Sequence, residues 1–183
     1  MRHNKKGFFI MPYPTNDSIY KRRSIRSFHK APISDNDLNF ILSSGLSAPS
    51  GEGIHPLELV VIKKDETKEK IKSFYEWAGF CTQSPVSVLV CYDADKIFAA
   101  GYDNDDLGKL DAAACIENML LRATDLGIAT CWTHAMENAD DYRKLLNIPE
   151  NIVPVALVVM GYSDIPFSAK DQFDKNKIHI DRW

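Results

Sequence analysis

The 183 residues, 45% hydrophobic and 26% charged, suit one globular domain that buries roughly 70% of the surface its unfolded chain exposes, without disulfides or a structural metal. This balance excludes disordered, collagen-like and coiled-coil classes. The formal charge of −3 is uneven, because residues 1–30 carry eight Lys/Arg against Asp17 alone. An acidic remainder argues against sequence-blind nucleic-acid binding, while a concentrated basic segment suits one small anionic ligand.

In chain order, residues 1–14 hold an apolar run of only Phe8 to Met11, cut by Pro12. That is too short for a secretory h-region, and the stretch reads as a flexible extension ahead of a single domain at 15–183. A short helix is predicted from Asp17 to Arg23. A second starts at Ser34, an N-cap with Asp37 three residues on, and lays Leu38, Ile41, Leu42 and Gly45 on one face. Pro49-Ser50-Gly51-Glu52-Gly53 is a loop, Leu57–Ile62 a strand, Asp65–Trp77 a charged amphipathic helix, and Val86–Tyr92 another strand.

The strongest helix runs from Leu107 or Lys109 to Leu126, with Gly127 as its C′ residue. Its apolar residues occupy more than one face, which predicts burial at the centre of the domain or between two subunits. Ile128–Thr133 is a strand, Asp140–Leu146 a helix stopped before Pro149, and Val155–Met160 a last strand. No apolar stretch reaches membrane-spanning length. The alternation of strands and helices, on pattern alone, predicts a doubly wound parallel sheet, although G-x-G-x-x-G and G-x-x-x-x-G-K-[ST] are both missing.

Lys21-Arg22-Arg23-Ser24-Ile25-Arg26-Ser27-Phe28 is the sharpest local feature. Guanidinium forks match phosphate oxygens bidentately and serine hydroxyls add donors, whereas a solvated basic surface is the plainer alternative. Ala48 to Leu57 is a small-residue loop whose backbone can approach a flat ligand closely. Ser50 lacks the G-x-S-x-G context of a hydrolase nucleophile. Asp103 to Gly108 fails as a calcium loop, and His3, His29, His55, His134 and His179 show no metal-binding spacing. Cys81, Cys91, Cys115 and Cys131 form no C-x-x-C pair and sit among apolar neighbours. They read as buried thiols of a cytoplasmic protein.

Taken together, R-R-S-I-R-S-F at 22–28, A-P-S-G-x-G-x-H-P-L at 48–57, the helix and strand at 111–132, V-V-M-G-Y at 158–162 and I-H-I-D-R-W at 178–183 resemble the nitroreductase family of FMN-dependent NAD(P)H oxidoreductases. The resemblance covers nearly the whole chain. It implies an α+β fold with a central, mainly antiparallel sheet flanked by helices, in place of the parallel sheet. It also implies an intertwined homodimer with FMN at the subunit interface and the helix at 109–126 in the dimer core.

By motif, the resemblance makes Arg22, Arg23, Ser24 and Arg26 cofactor-binding. Arg22 and Ser24 serve the phosphate end, and Arg26 lies near flavin N1 and O2, where a cation stabilises the reduced anion. Pro49, Ser50, Gly51 and Gly53 belong to the loop that reaches the partner's flavin. Trp132, Thr133, His134 and Ala135 face the ring, with the backbone of His134 or Ala135 bonding flavin N5, and Lys175 or Lys177 supplies a further phosphate contact. Gly53, His55 and Leu57 replace the family's usual Asn, Gln and Trp.

The activity implied is ping-pong transfer of hydride from NAD(P)H to an electron-poor acceptor such as a nitroaromatic, quinone or flavin, with no catalytic side chain and no metal. Alternatives are a non-catalytic flavin-binding or sensing module, or a dehalogenase or flavin-fragmenting member of the same fold. Neither nucleic acid nor membrane is an expected partner.

Overall fold

The computed structural model describes residues 17–183 except 104 and 171, so the extension expected at 1–14 lies outside the described residues. Asp17 caps a one-turn helix, α1 (Ser18–Lys21), shorter than the predicted 17–23 because the chain turns extended at Arg22. Ser34 caps α2 (Asp35–Leu46) as its sequence predicts, its hydroxyl accepting from Asp37 N–H at 3.1 Å. Strand β1 (Leu57–Ile62) follows, then α3 (Asp65–Phe74). This helix stops short of Trp77 because Tyr75 leaves helical geometry, and residues 76–83 continue as 3₁₀ turns.

Next come β2 (Val86–Asp93) and α4 (Ala94–Ala99), a helix absent from the predicted elements, capped by Asp93. The long α5 (Asp106–Asp125) ends at Gly127, whose φ of 71° is left-handed. There Gly127 N–H donates to Thr124 O and Ile128 N–H to Ala123 O, satisfying carbonyls that a helix end leaves open. Strand β3 (Ala129–His134), α6 (Ala139–Leu146) and β4 (Ile152–Gly161) complete the domain, before a largely irregular tail.

The four strands stand in the order β1-β2-β4-β3, and every pair is antiparallel. The parallel sheet expected from element alternation is therefore wrong, and the α+β antiparallel arrangement is correct. The misreading has a physical cause: β2 and β4 are buried on both faces and so lack the in/out alternation that normally marks antiparallel strands. Pro154 sits inside the interior strand β4, where a missing N–H should break the ladder. The register shifts between Val90 and Cys91 opposite it, so the proline occupies an irregularity.

Side chains of β2 and β4 alternate between two helical layers. Val88, Val90, Val158 and Met160 pack with Leu38, Ile41, Cys115, Ile116 and Met119 of α2 and α5. Leu89, Cys91, Leu157 and Val159 meet Ile71, Cys81 and Tyr142 on the other side. Each large aliphatic buried this way contributes about 1.5–3 kcal/mol, so the sheet is stabilised from both faces. The outer side of α5 leaves Leu110 65% exposed, with Ala114 and Leu121 half-buried. Among the described residues no helix is long and apolar enough to cross a membrane.

Candidate functional site

After α1 the chain runs extended and Ser24 makes a parallel bridge with Thr130, while Ile25 N–H donates to Thr130 O at 2.9 Å. Ile25 and Phe28 are buried, so Ser24 and Arg26, on either side of Ile25, face outward. The fold thereby gathers Arg22, Arg23, Ser24 and Arg26 on the wall of one cavity of about 720 Å³, where no acidic side chain lines the wall among the described residues.

Within that wall Arg22 Nε pairs with Glu117 Oε1 at 3.3 Å, and Arg23 Nη1 donates to Arg22 O. Arg23 Nη2 is buried and meets no partner among the described residues. An orphaned cationic donor beside a cavity is costly to leave unsatisfied, and it marks where an anionic oxygen fits.

Lys170 closes the same cavity, its N–H donating to Tyr20 O at 3.2 Å. The sequence reading missed it, along with Tyr20, Gln172 and Phe173. The only signal was its being the first basic residue after β4. The expected Lys175 and Lys177 sit further along in an exposed 3₁₀ turn capped by Asp174 and do not line the cavity.

Along β3, Cys131 and Ala135 are buried in the α3/α6 layer, so Trp132 and His134 project to the opposite face, where Trp132 is 39% and His134 substantially exposed. Thr133 is buried, and its hydroxyl donates to Tyr75 Oη at 3.2 Å. The backbone parity separates the two expected donors. Ala135 N–H is already given to Val155 O at 3.0 Å, whereas Thr130, two strand periods before His134, turns its carbonyl away from β4 to the edge where Ile25 N–H meets it. By the parity of the antiparallel register with β4, the N–H groups of Trp132 and His134 face that edge too.

Pro49, Ser50, Gly51 and Gly53 are not brought to the basic cavity within one chain. Pro49 and Ser50 line a separate recess of about 40 Å³ with His55. Ser50 Oγ donates to Asp111 Oδ2 at 2.6 Å, Gly51 N–H donates to Asp111 Oδ1 at 3.0 Å, and His55 N–H donates to Ser50 Oγ at 2.9 Å. Glu52, Gly53 and His55 all have left-handed φ, of 53°, 69° and 49°.

All four cysteines are free and buried, as core packing predicts. Burial pushes the Cys81 and Cys115 thiols up to about 11, Cys91 to about 12, and Cys131 upward as well. Among the described residues, no group of His, Cys, Asp or Glu is arranged to hold a metal ion.

The sequence matches the model of the nitroreductase family over residues 19–79 and 76–162. An Archaeoglobus fulgidus protein named "Putative NADH dehydrogenase/NAD(P)H nitroreductase" is 33% identical over 90% of this chain and 96% of its own. The FMN reductase [NAD(P)H] of Bacillus subtilis is 28% identical over 79% of this chain and 64% of its own. In fold, the chain is similar to an FMN-dependent nitroreductase from Clostridium difficile R20291, with a TM-score of 0.80, 24% identity, and coverage of 91% of this chain and 99% of that one.

Proposed function

The chain belongs to the nitroreductase family, and from that premise we propose that it is an FMN-dependent oxidoreductase using NAD(P)H to reduce an electron-poor acceptor such as a nitroaromatic, a quinone or a free flavin. The observation that carries this reading is the buried Arg23 Nη2, without a partner among the described residues, on the wall of a cavity that Arg22, Arg26 and Lys170 also line. A guanidinium fork of this kind fits a phosphate.

Arg22, Arg23, Ser24 and Lys170 hold the phosphate end in this reading, with Lys170 taking the part expected of Lys175 or Lys177. Arg26 contributes a fixed positive charge toward the ring end. When bound, FMN supplies the redox chemistry, accepting hydride from NAD(P)H and passing electrons to the acceptor in ping-pong order. His134 N–H, at the open edge of β3, is the backbone donor we assign to the hydride-accepting nitrogen, since Ala135 N–H is bound to Val155 O. Trp132 and His134 then wall the space beside the ring, and no side chain is required as acid or base.

The same proposal makes the protein a cytoplasmic homodimer in which the 49–53 loop of one subunit reaches the cofactor of the other. Phe40, Leu46 and Leu110 on the α2 and α5 surface, and Ile178, Ile180 and Trp183 in the tail, are exposed and support it, because a second copy would cover them. Unpaired cysteines are in keeping with a reducing compartment.

An absorption spectrum of the purified protein, with FMN added if it is colourless, tests the assignment. Flavin bands at roughly one per subunit that bleach on anaerobic addition of NADH or NADPH are expected. A protein that neither retains nor rebinds FMN overturns it.

A further inference from the structure

Asp111 lies in the first turns of α5 with 5% of its surface exposed. It has no cationic partner among the ion pairs of the described residues, and a buried carboxylate without one must be stabilised by hydrogen-bond donors. The donors come from a single place, the Ser50 hydroxyl on Oδ2 and the Gly51 N–H on Oδ1. The Ser50 oxygen in turn accepts from His55 N–H. Gly53 N–H and Ile54 N–H close onto Ser50 O and Gly51 O. The hydroxyl proton and four of the amides between 50 and 55 are therefore committed inside the chain. What they hold is a segment with three left-handed residues, two of them not glycine, a conformation that persists only when its surroundings over-determine it.

We propose that Asp111 is a positioning residue: its carboxylate clamps Ser50 and Gly51 and so presets the shape that the 49–55 loop presents to the partner subunit's cofactor. This rests on the dimeric FMN reading above. It reassigns Ser50 and Gly51, which serve the neighbouring site through loop shape rather than by donating hydrogen bonds to FMN. Pro49, ahead of the clamp, and His55 are exposed and left to face the ligand, while the Glu52 carboxylate meets the Tyr102 hydroxyl.

The test uses the full chain and three variants, Asp111→Ala, Asp111→Asn and Ser50→Ala, with FMN affinity read by quenching of flavin fluorescence and amide exchange followed at 51–55. Asp111→Ala is expected to weaken FMN binding about tenfold and to speed exchange in the loop, since loss of a buried acceptor for two donors is of that order. Asp111→Asn keeps an acceptor for Gly51 and recovers part of the affinity. Ser50→Ala, a surface-loop change that leaves the helix untouched, weakens binding and loosens the loop in the same direction.

Faster exchange with FMN affinity within about twofold of wild type, a difference too small to reflect a lost charged hydrogen bond, makes Asp111 merely structural and overturns the proposal. Should Asp111→Ala fail to fold, Ser50→Ala decides by the same criterion. A wild-type chain that binds no FMN overturns the cofactor reading itself, and the proposal with it.

Discussion

Two segments of the candidate site, 22–26 and 49–55, are built on opposite principles. The first spends only part of its polar groups within the chain, on Glu117 and Arg22 O: its serine and Arg26 are exposed, and one Arg23 guanidinium nitrogen is buried with no partner among the described residues. The second consumes its donors internally, on Asp111 and on its own carbonyls. One segment offers charge and the other offers shape. A motif alone does not tell these apart, because serine and glycine serve either end.

The largest effect that would break this comparison is at Arg23. Arg23→Ala is expected to weaken FMN binding roughly 100-fold, the scale of two lost charge-assisted bonds, and to flatten the dependence of affinity on salt. An affinity unchanged by this variant removes the charged half of the contrast. Lys170→Ala should cost about tenfold in the same titration, as the loss of a point charge on phosphate, while Lys175→Ala and Lys177→Ala stay within about twofold.

Smaller still is a change in the shaped segment. Gly53 has φ of 69° and open space where a Cβ would stand, so Gly53→Asn, an amino acid that tolerates the left-handed region, should fold normally. It adds a polar group where the segment has few to offer, and FMN affinity should tighten by about threefold, or under 1 kcal/mol.

A charged triad outside both segments provides the control. Hydrogen bonds from Lys30 and then Lys68, each 2.7 Å away, hold the Asp65 carboxyl down at about 2 against 3.8. Its folded value lies below its unfolded one, so its stabilising contribution is complete above pH 3.8 and is lost as pH falls through about 2. Asp65→Asn should therefore lower the melting temperature at pH 7 and converge on wild type in melts taken toward pH 2. FMN affinity at pH 7 should not change.

Much of the fold is legible in local chemistry. Ser34 announces α2, Gly127 ends α5, and the apolar runs at 57–62 and 86–92 become β1 and most of β2. Strand direction is not legible, since a strand covered on both faces carries the same residues whichever way its neighbour runs. The end of α3 at Phe74 is missed because Tyr75 and Trp77 continue a helical pattern, whereas the Tyr75 backbone leaves helical geometry with φ −139° and ψ 84°. The arginine cluster is visible because its residues are adjacent in sequence. Lys170 is invisible, since it reaches the cavity only by pairing with Tyr20, 150 positions earlier. Asp111 hides for a similar reason: nothing in a helical D-A-A-A says that its carboxylate serves residue 50.

The buried thiols divide between the two helical layers, Cys115 with α2 and α5, and Cys81, Cys91 and Cys131 on the opposite face. Because burial raises their pKa values, the thiolate that alkylating agents attack is scarce at neutral pH while either layer stays closed. Modification of each cysteine then times the opening of its own layer. Without any added label, the chain carries a two-channel clock that reports which side of the sheet loosens first when it unfolds.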